Sequence, residues 1–281
     1  MRAGYSLTVT ERARRLRAID DVFFRLIASR MEVCQEMLQT LLEDNTIRVV
    51  RVTPQMTMIS LFREVILDVL CEQQDGSLIN IEVQKGEQND DIRRVRYHTS
   101  IITVNNTPKG TEFIEVPNVK VIYISEYDAL GSNRAVTKVT RCRNGEEGYV
   151  PVDDGEEIIF ANTVIKDGTD RSQLLQLFLS SDSVKNEKFP AFSEAMRYYK
   201  GTEKGRETMC RIVEEYAEEC VKECEKEYKK ENAKRLITSV NNFMRKCNET
   251  LDAACELSGA TVEEYYQAKE LLEMEGESVS A

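Results

Sequence analysis

Residues Glu64–Lys85 read EVILDVLCEQQDGSLINIEVQK, two apolar runs joined by a short polar segment, each run carrying one acid that packing alone would not put there. Asp68 interrupts Val65-Ile66-Leu67 and Val69-Leu70-Cys71, and Glu82 stands between Ile81 and Val83 with Gln84 two positions on. Side chains alternate faces along a strand, so Glu82 and Gln84 share a face with Leu78 and Asn80. The sequence Gln74-Asp75-Gly76 suits a three-residue loop, a type I turn followed by glycine in the left-handed region. That loop sets Gln73 opposite Ser77 and, counting back, Asp68 opposite Glu82, so that two carboxylates meet on one face. A two-residue turn at Asp75-Gly76 shifts the register by one and sends the acids to opposite faces. Opposed like charges destabilise a hairpin unless a divalent cation sits between them.

Outward from this hairpin, Ile19 to Glu43 has helical apolar spacing and predicts one amphipathic helix. Asp20 and Asp21 stand at its start, where an acid suits both the cap and the helix dipole. Thr46 to Val52 is a β-type run that Pro54 is expected to end. After the hairpin, Ile92 to Val104 carries Val95, Tyr97, His98, Ile101 and Ile102 at helical spacing. Val119 to Ser125, VKVIYIS, reads as a strand buried on both faces. Between Ala135 and Ile165 short β-type runs flank Val152-Asp153-Asp154-Gly155, which lacks the acid spacing of a calcium loop and reads as a hairpin turn. Beyond Asp167 two short helices are expected, at Leu174–Leu179 and Phe189–Tyr199. Glu203 to Cys247 follows as a long charge-laced helical arm or short coiled coil, and then a helical pair around Ser258-Gly259-Ala260-Thr261. The second helix of that pair carries few cations, which favours contact with a protein partner over reading DNA.

A chain of 281 residues holds one medium domain and an appendage. No apolar run is long enough to cross a bilayer and no signal-like stretch opens the sequence, so a cytoplasmic protein is expected. Eight scattered cysteines without a C-x-x-C pair suit reduced thiols. Cys220 and Cys224, one helical turn apart, read as helix packing. The net charge of −11 argues against a surface coated for duplex DNA. The cations nonetheless cluster locally at 11–17, 91–96 and 134–143, while acids crowd the C-terminal third. There is no Gly-rich phosphate loop, no G-x-S-x-G and no H-E-x-x-H. The single histidine, His98, leaves no room for His-dependent nuclease or triad chemistry and reads first as a structural residue.

Asp68, the turn and Glu82-Val83-Gln84 resemble the PD-(D/E)xK nuclease signature, an Asp on one strand, a hairpin, and Glu-x-Lys or Glu-x-Gln on the next. The wording L-D-V-L-x-x-x-x-D-G-x-x-I-N-I-E-V-Q is similar to the branch of recombination-promoting nucleases and transposases. Two flanks extend the resemblance. D-D-V-F-F-R-L-I resembles an opening D-x-V-F-K-x-(L/I)-F, which makes Asp20 the matching acid and puts Phe24 where that family tends to have Lys. R-R-V-R-Y-H-T-S-I-I resembles R-x-x-Y-Y-x-S, with Arg94 and Tyr97 matching and His98 in place of the second Tyr.

The resemblance implies an α/β fold with a restriction-endonuclease-like core over residues 19–166, after a basic N-terminal arm (1–18) and before a mostly helical region (167–281). It implies a metal-dependent DNA endonuclease. Asp68 and Glu82 are hard oxygen donors suited to Mg²⁺ or Mn²⁺, the backbone carbonyl of Val83 would be a third ligand, and Asp20 a fourth, directly or through water. Gln84 takes the slot of the family's Lys; it can hold a water by hydrogen bonds but cannot act as a base at neutral pH. Arg93, Arg94, Arg96 and Tyr97 are the expected DNA contacts, although the three arginines cannot all share one helix face. The other readings are a catalytically inactive nuclease fold acting as a nucleic-acid- or protein-binding module, and RNA cleavage, since nothing in the sequence selects a sugar. The C-terminal helices are a candidate surface for homo-oligomerisation.

Overall fold

The computed structural model describes residues 8–59, 64–87, 91–183 and 185–274, and the chain divides into two compact units, Met1–Val213 and Glu214–Ala281. The first unit begins with α1 (Val9–Arg15), closed by a capping box between Thr8 and Glu11. The first seven residues of the expected N-terminal arm lie outside the described residues. Two helices follow where one was expected: α2 (Asp21–Ala28) and α3 (Met31–Leu42). Apolar spacing runs on unbroken, yet Arg30 is extended (φ −86°, ψ 117°). Its guanidinium lies 4.8 Å over the Tyr198 ring and 5.3 Å over that of Tyr199, and Ser29 donates to the carbonyl of Leu26 at 2.7 Å. The break lets α2 bury Phe23, Phe24 and Ile27 while α3 buries Val33, Cys34, Met37, Leu38 and Leu41 at a different angle.

The strands β1 (Val49–Ile59), β2 (Glu64–Gln73) and β3 (Leu78–Gln84) form an antiparallel meander. Pro54 does not end β1. The strand is an edge of the sheet, where proline's missing N–H can face away from the ladder. The three-residue loop forms between β2 and β3: Gly76 has φ 83°, its N–H donates to Gln73 at 3.0 Å, and Gln73 donates to Ser77 at 2.9 Å. From β3 the chain crosses through α4 (Asp91–Asn105) to β4 (Val119–Ser125), parallel to β3. Next come β5 (Val136–Val139) and a separate ribbon of β6 (Cys142–Gly145) and β7 (Gly148–Pro151), then β8 (Glu156–Asn162), parallel to β4. The six-stranded order is β1-β2-β3-β4-β8-β5, a mixed α/β sheet consistent with a restriction-endonuclease-like core. Val152–Gly155 is therefore not a hairpin turn: β7 pairs with β6 and β8 with β4 and β5, so the segment links the ribbon to the main sheet.

One face of the sheet, with Val69, Ile81 and Ile124, packs on α2, α3 and the helices α5 (Asp170–Leu177) and α6 (Pro190–Gly201). The other face, with Leu70, Leu78 and Val121, packs on Val95, Ile101 and Ile102 of α4. Glu36 of α3 holds the start of α6 by accepting from the N–H groups of Ala191 and Phe192. Lys200 of α6 donates to the terminal carbonyls of α1 at Ala13, Arg14 and Leu16. The helices just after residue 167 thus belong to the core of the first unit. The long α7 (Glu203–Cys247) continues into the second unit, where its Ala233, Ile237 and Val240 pack with α8 (Leu251–Leu257) and α9 (Val262–Met274). Among the described residues no helix is long and apolar enough to cross a membrane.

Candidate active site

The β2–β3 ladder opens at Asp68. Its last ladder pair is Val69 with Ile81; in an antiparallel ladder the N–H of Val83 would then reach for the carbonyl of Leu67. It donates instead to Asp68 Oδ2 at 2.9 Å. The alternation of β2 shifts at the same step: Val65 and Leu67 lie in the cluster on the α4 face, Val69 and Cys71 in the opposite one. On the neighbouring β1, Gln55 stands between the pairs Pro54–Val69 and Met56–Leu67 and takes a left-handed conformation (φ 51°). Both strands kink together, and Asp68 is left in the gap with only 6 % of its surface exposed.

Glu82, 7 % exposed, faces the same gap. Asn80 donates to its Oε1 at 2.6 Å, and Nδ1 of His98, from α4, lies 3.3 Å from that oxygen. The helix α2 brings a third acid. Asp21 stands close enough to Asp68 for the two carboxyls to shift each other's titration. Arg25, one turn further along α2, bridges them: Nη2 donates to Asp21 Oδ2 at 2.6 Å and lies 3.4 Å from Asp68 Oδ1. Two carboxylates thus share one guanidinium, with the charge of Glu82 acting on both. Burial above all, then the charges of Glu82 and Asp21, push the Asp68 carboxyl well above the usual carboxylate range, against the pull of the Val83 N–H and Arg25. Burial likewise raises Asp21.

Of the residues expected from the sequence, Asp68, Glu82 and Val83 come together. Asp20 is directed elsewhere: its carboxylate accepts from Lys85 Nζ at 2.7 Å and from the N–H of Arg17 at 2.7 Å. Asp21 is the α2 acid in the cluster, and its spacing of four from Arg25 is the sequence signal that separates the two acids. Gln84 is half-buried, its amide donating to the carbonyl of Gly86 at 2.7 Å. Phe24 is fully buried, its ring 6.0 Å from that of Phe178, so that position serves the core. On α4, Arg93 and Arg96 are exposed, while Arg94 and Tyr97 are half-buried.

Sequence reasoning passed over Asp91. It is buried at the start of α4 and accepts from the hydroxyls of Tyr123 (2.6 Å) and Tyr127 (2.7 Å). Tyr123 is the register partner of Glu82 on β4, so this bond pins the start of α4 beside the acids. A tyrosine inside the β-branched run VKVIYIS was the available signal, since a buried hydroxyl needs a partner.

Among the described residues six buried side-chain nitrogen or oxygen atoms lack a partner of hydrogen-bond geometry, four of them in this cluster; Asp21 Oδ1 and Arg25 Nε still face each other at 2.5 Å and His98 Nδ1 lies 3.3 Å from Glu82 Oε1, so the unmatched atom is Asn80 Oδ1. Buried polar atoms are rarely left unmatched, and an unmatched amide oxygen beside carboxylate oxygens suits a divalent cation or one of its waters. Among the described residues no three His, Cys, Asp or Glu side chains are gathered at metal-ligand geometry; the acids are closed on Arg25, Asn80 and the Val83 N–H.

A family model described as PD-(D/E)XK nuclease family transposase matches residues 19–177, more than half of the chain. No curated protein and no solved structure matches it.

Proposed function

The chain belongs to the PD-(D/E)XK nuclease family transposases, and from that premise we propose that it is a divalent-metal-dependent DNA endonuclease acting in recombination or transposon-like mobility. The observation that carries this reading is the convergence of Asp21, Asp68 and Glu82 on the opened hairpin. Asp68, Glu82 and the backbone carbonyl of Val83 are the residues that would hold Mg²⁺ or Mn²⁺, with Asp21 next to them. A bound cation supplies a water of lowered pKa and offsets charge on the phosphate oxygens. The chain's own part is to gather Asp68 and Glu82 in a gap shielded from bulk water, to orient Glu82 through Asn80 and His98, and to set Gln84 two positions further along the same strand. Arg93 and Arg96, exposed on the helix that carries His98 to Glu82, suit the DNA backbone by charge.

The nuclease unit in this reading starts at residue 19 and takes in α5 and α6, which pack in its core, with the helices beyond them serving self-association; the stretch of α7 over 214–229 is almost wholly exposed and carries Tyr216, Val221 and Tyr228 at its surface. All eight cysteines are free, which suits the reducing cytoplasm. One observation favours a second reading, an inactive fold that only binds nucleic acid or protein: the Gln84 amide is committed to Gly86.

Nicking of supercoiled plasmid with Mg²⁺ or Mn²⁺ decides between them, comparing the wild type with Asp68→Ala and Glu82→Ala at matched folding. Metal-dependent nicking that is lost in both variants is expected. Equal trace nicking in all three would sink the nuclease reading and leave the binding module.

A further inference from the structure

The position that follows Glu82 by two carries no cation, and neither do its surroundings on β3. Gln84 is neutral and tied to Gly86. Lys85 is exposed and paired with Asp20, 2.7 Å away. The cation that does touch the acids comes from a different element. Arg25 reaches Asp21 through Nε (2.5 Å) and Nη2 (2.6 Å), and Asp68 through Nη2 (3.4 Å). Phe24 and Ile27, fully buried on either side of it in α2, fix where that helix stands. The Arg25 side chain keeps 16 % exposure, so its charge acts through a partly desolvated path while solvent can still reach it.

We propose that Arg25 is the charge-compensating residue of this site, supplying from α2 the positive charge that position 84 lacks, and that it competes with the divalent cation for Asp68. The proposal rests on the carboxylate-site reading above. A guanidinium stays protonated and cannot take a proton from water, so its contribution is electrostatic. Where no cation holds Asp68, it neutralises part of the charge of Asp21 and Asp68. Once a cation holds Asp68, Arg25 remains on Asp21, and its five donors leave N–H groups to spare for an anionic oxygen of the phosphate. Two effects of opposite sign follow from one residue: Arg25 opposes cation binding and favours the charged transition state.

The test uses the full chain and two readouts, Mn²⁺ affinity by calorimetry and plasmid nicking at saturating Mn²⁺. It compares wild type, Arg25→Met, Arg25→Lys, Arg25→Met with Gln84→Lys, and Asp68→Ala. Removing a positive charge beside a dication should tighten Mn²⁺ binding by about tenfold or more in Arg25→Met. Nicking should fall by roughly a hundredfold, as when one preorganised donor is lost, with partial return when Gln84→Lys is added. Arg25→Lys keeps the charge in a milder replacement and should lie between wild type and Arg25→Met on both readouts. Weaker Mn²⁺ binding together with weaker nicking, or unchanged nicking, would overturn the proposal and leave Arg25 as a bracket for the acids. Mn²⁺ bound by the wild type and lost in Asp68→Ala, with no nicking by any variant, would overturn the catalytic half and leave the competition. No Mn²⁺ binding by the wild type would overturn the carboxylate site itself, and this proposal with it.

Discussion

Replacing Asp68 with Asn should stabilise the metal-free protein while abolishing its response to divalent cations. The carboxylate is buried and in the field of Glu82 and Asp21, and its pKa is raised. Two like charges about 5 Å apart repel by about 3 kcal/mol at an effective dielectric near 20. Arg25 at 3.4 Å and the Val83 N–H at 2.9 Å return part of that, but the direction of the shift says that they do not return all of it. Asn keeps the oxygen that accepts from Val83 and gains an NH₂ that can donate to Asp21 or Glu82. A net gain of about 1–2 kcal/mol follows, or a rise in Tm of about 3–6 °C for a protein of this size. Thermal melts in EDTA at pH 7.5 measure it.

The pH dependence gives a second reading of the same claim. A carboxyl whose folded pKa lies above its unfolded value binds protons preferentially in the folded state. Its penalty is absent below the unfolded pKa and grows as pH rises through the folded one. The advantage of Asp68→Asn should therefore shrink as pH falls towards 4. Adding Mn²⁺ should raise the Tm of the wild type, more at pH 8 than at pH 5, and leave Asp68→Asn unmoved. A variant that melts at or below the wild-type temperature in EDTA at pH 7.5 would refute the argument, because Asp68 would then be an ordinary structural acid.

Asn80→Ala removes the 2.6 Å bond to Glu82 Oε1 and should weaken Mn²⁺ binding by about 10- to 100-fold, as the loss of a residue that orients a metal ligand commonly does; an unchanged Kd would show that Glu82 needs no such support. Lys200 is pushed down to about 8 by burial, against the pull of Asp20 and Asp182. Its folded pKa thus lies below the unfolded one, the unfolded state binds more protons between the two, and stability should rise from pH 8 towards 10 on its account. Urea melts across that range should show a flatter profile for Lys200→Met, and parallel profiles would refute the assignment.

The hairpin register was legible because one local feature sets it. Gln74-Asp75-Gly76 admits a type I turn closed by a left-handed glycine, and everything up to Val69–Ile81 follows by counting. The opening at Asp68 was not legible by the same count. It depends on a left-handed Gln55 on another strand and on a side chain that takes over a ladder bond. Periodicity misread Ile19–Glu43 for a similar reason: the apolar spacing continues through Ser29-Arg30, and the break is imposed by Tyr198 and Tyr199, remote in sequence. Between Asp20 and Asp21 the sequence offered two adjacent acids at a helix start. Lys85 and Arg17 take the first and Arg25, one turn on, the second; the one-turn spacing of Asp21 and Arg25 was the readable part, while the reach of Lys85 to Asp20 is set by tertiary packing.

The helix break that periodicity missed is also what makes the site. One helix running from Ile19 to Glu43 would be aligned by its longer half. Cut at Arg30, the eight residues of α2 are instead anchored by Phe23, Phe24 and Ile27. The helix is thereby held against Asp68, as the reach of Arg25 Nη2 to Asp68 Oδ1 at 3.4 Å shows. The positive end of a helix and a guanidinium both lower the cost of gathering acids there. They do not remove it, since Asp68 and Asp21 are both still raised. A structural cluster would be expected to finish that compensation, as Lys85 and the Arg17 N–H do for Asp20 at the edge of the same site. Compensation left incomplete at Asp68, with Asn80 Oδ1 unmatched beside Glu82, is what a divalent cation would relieve under the proposed reading.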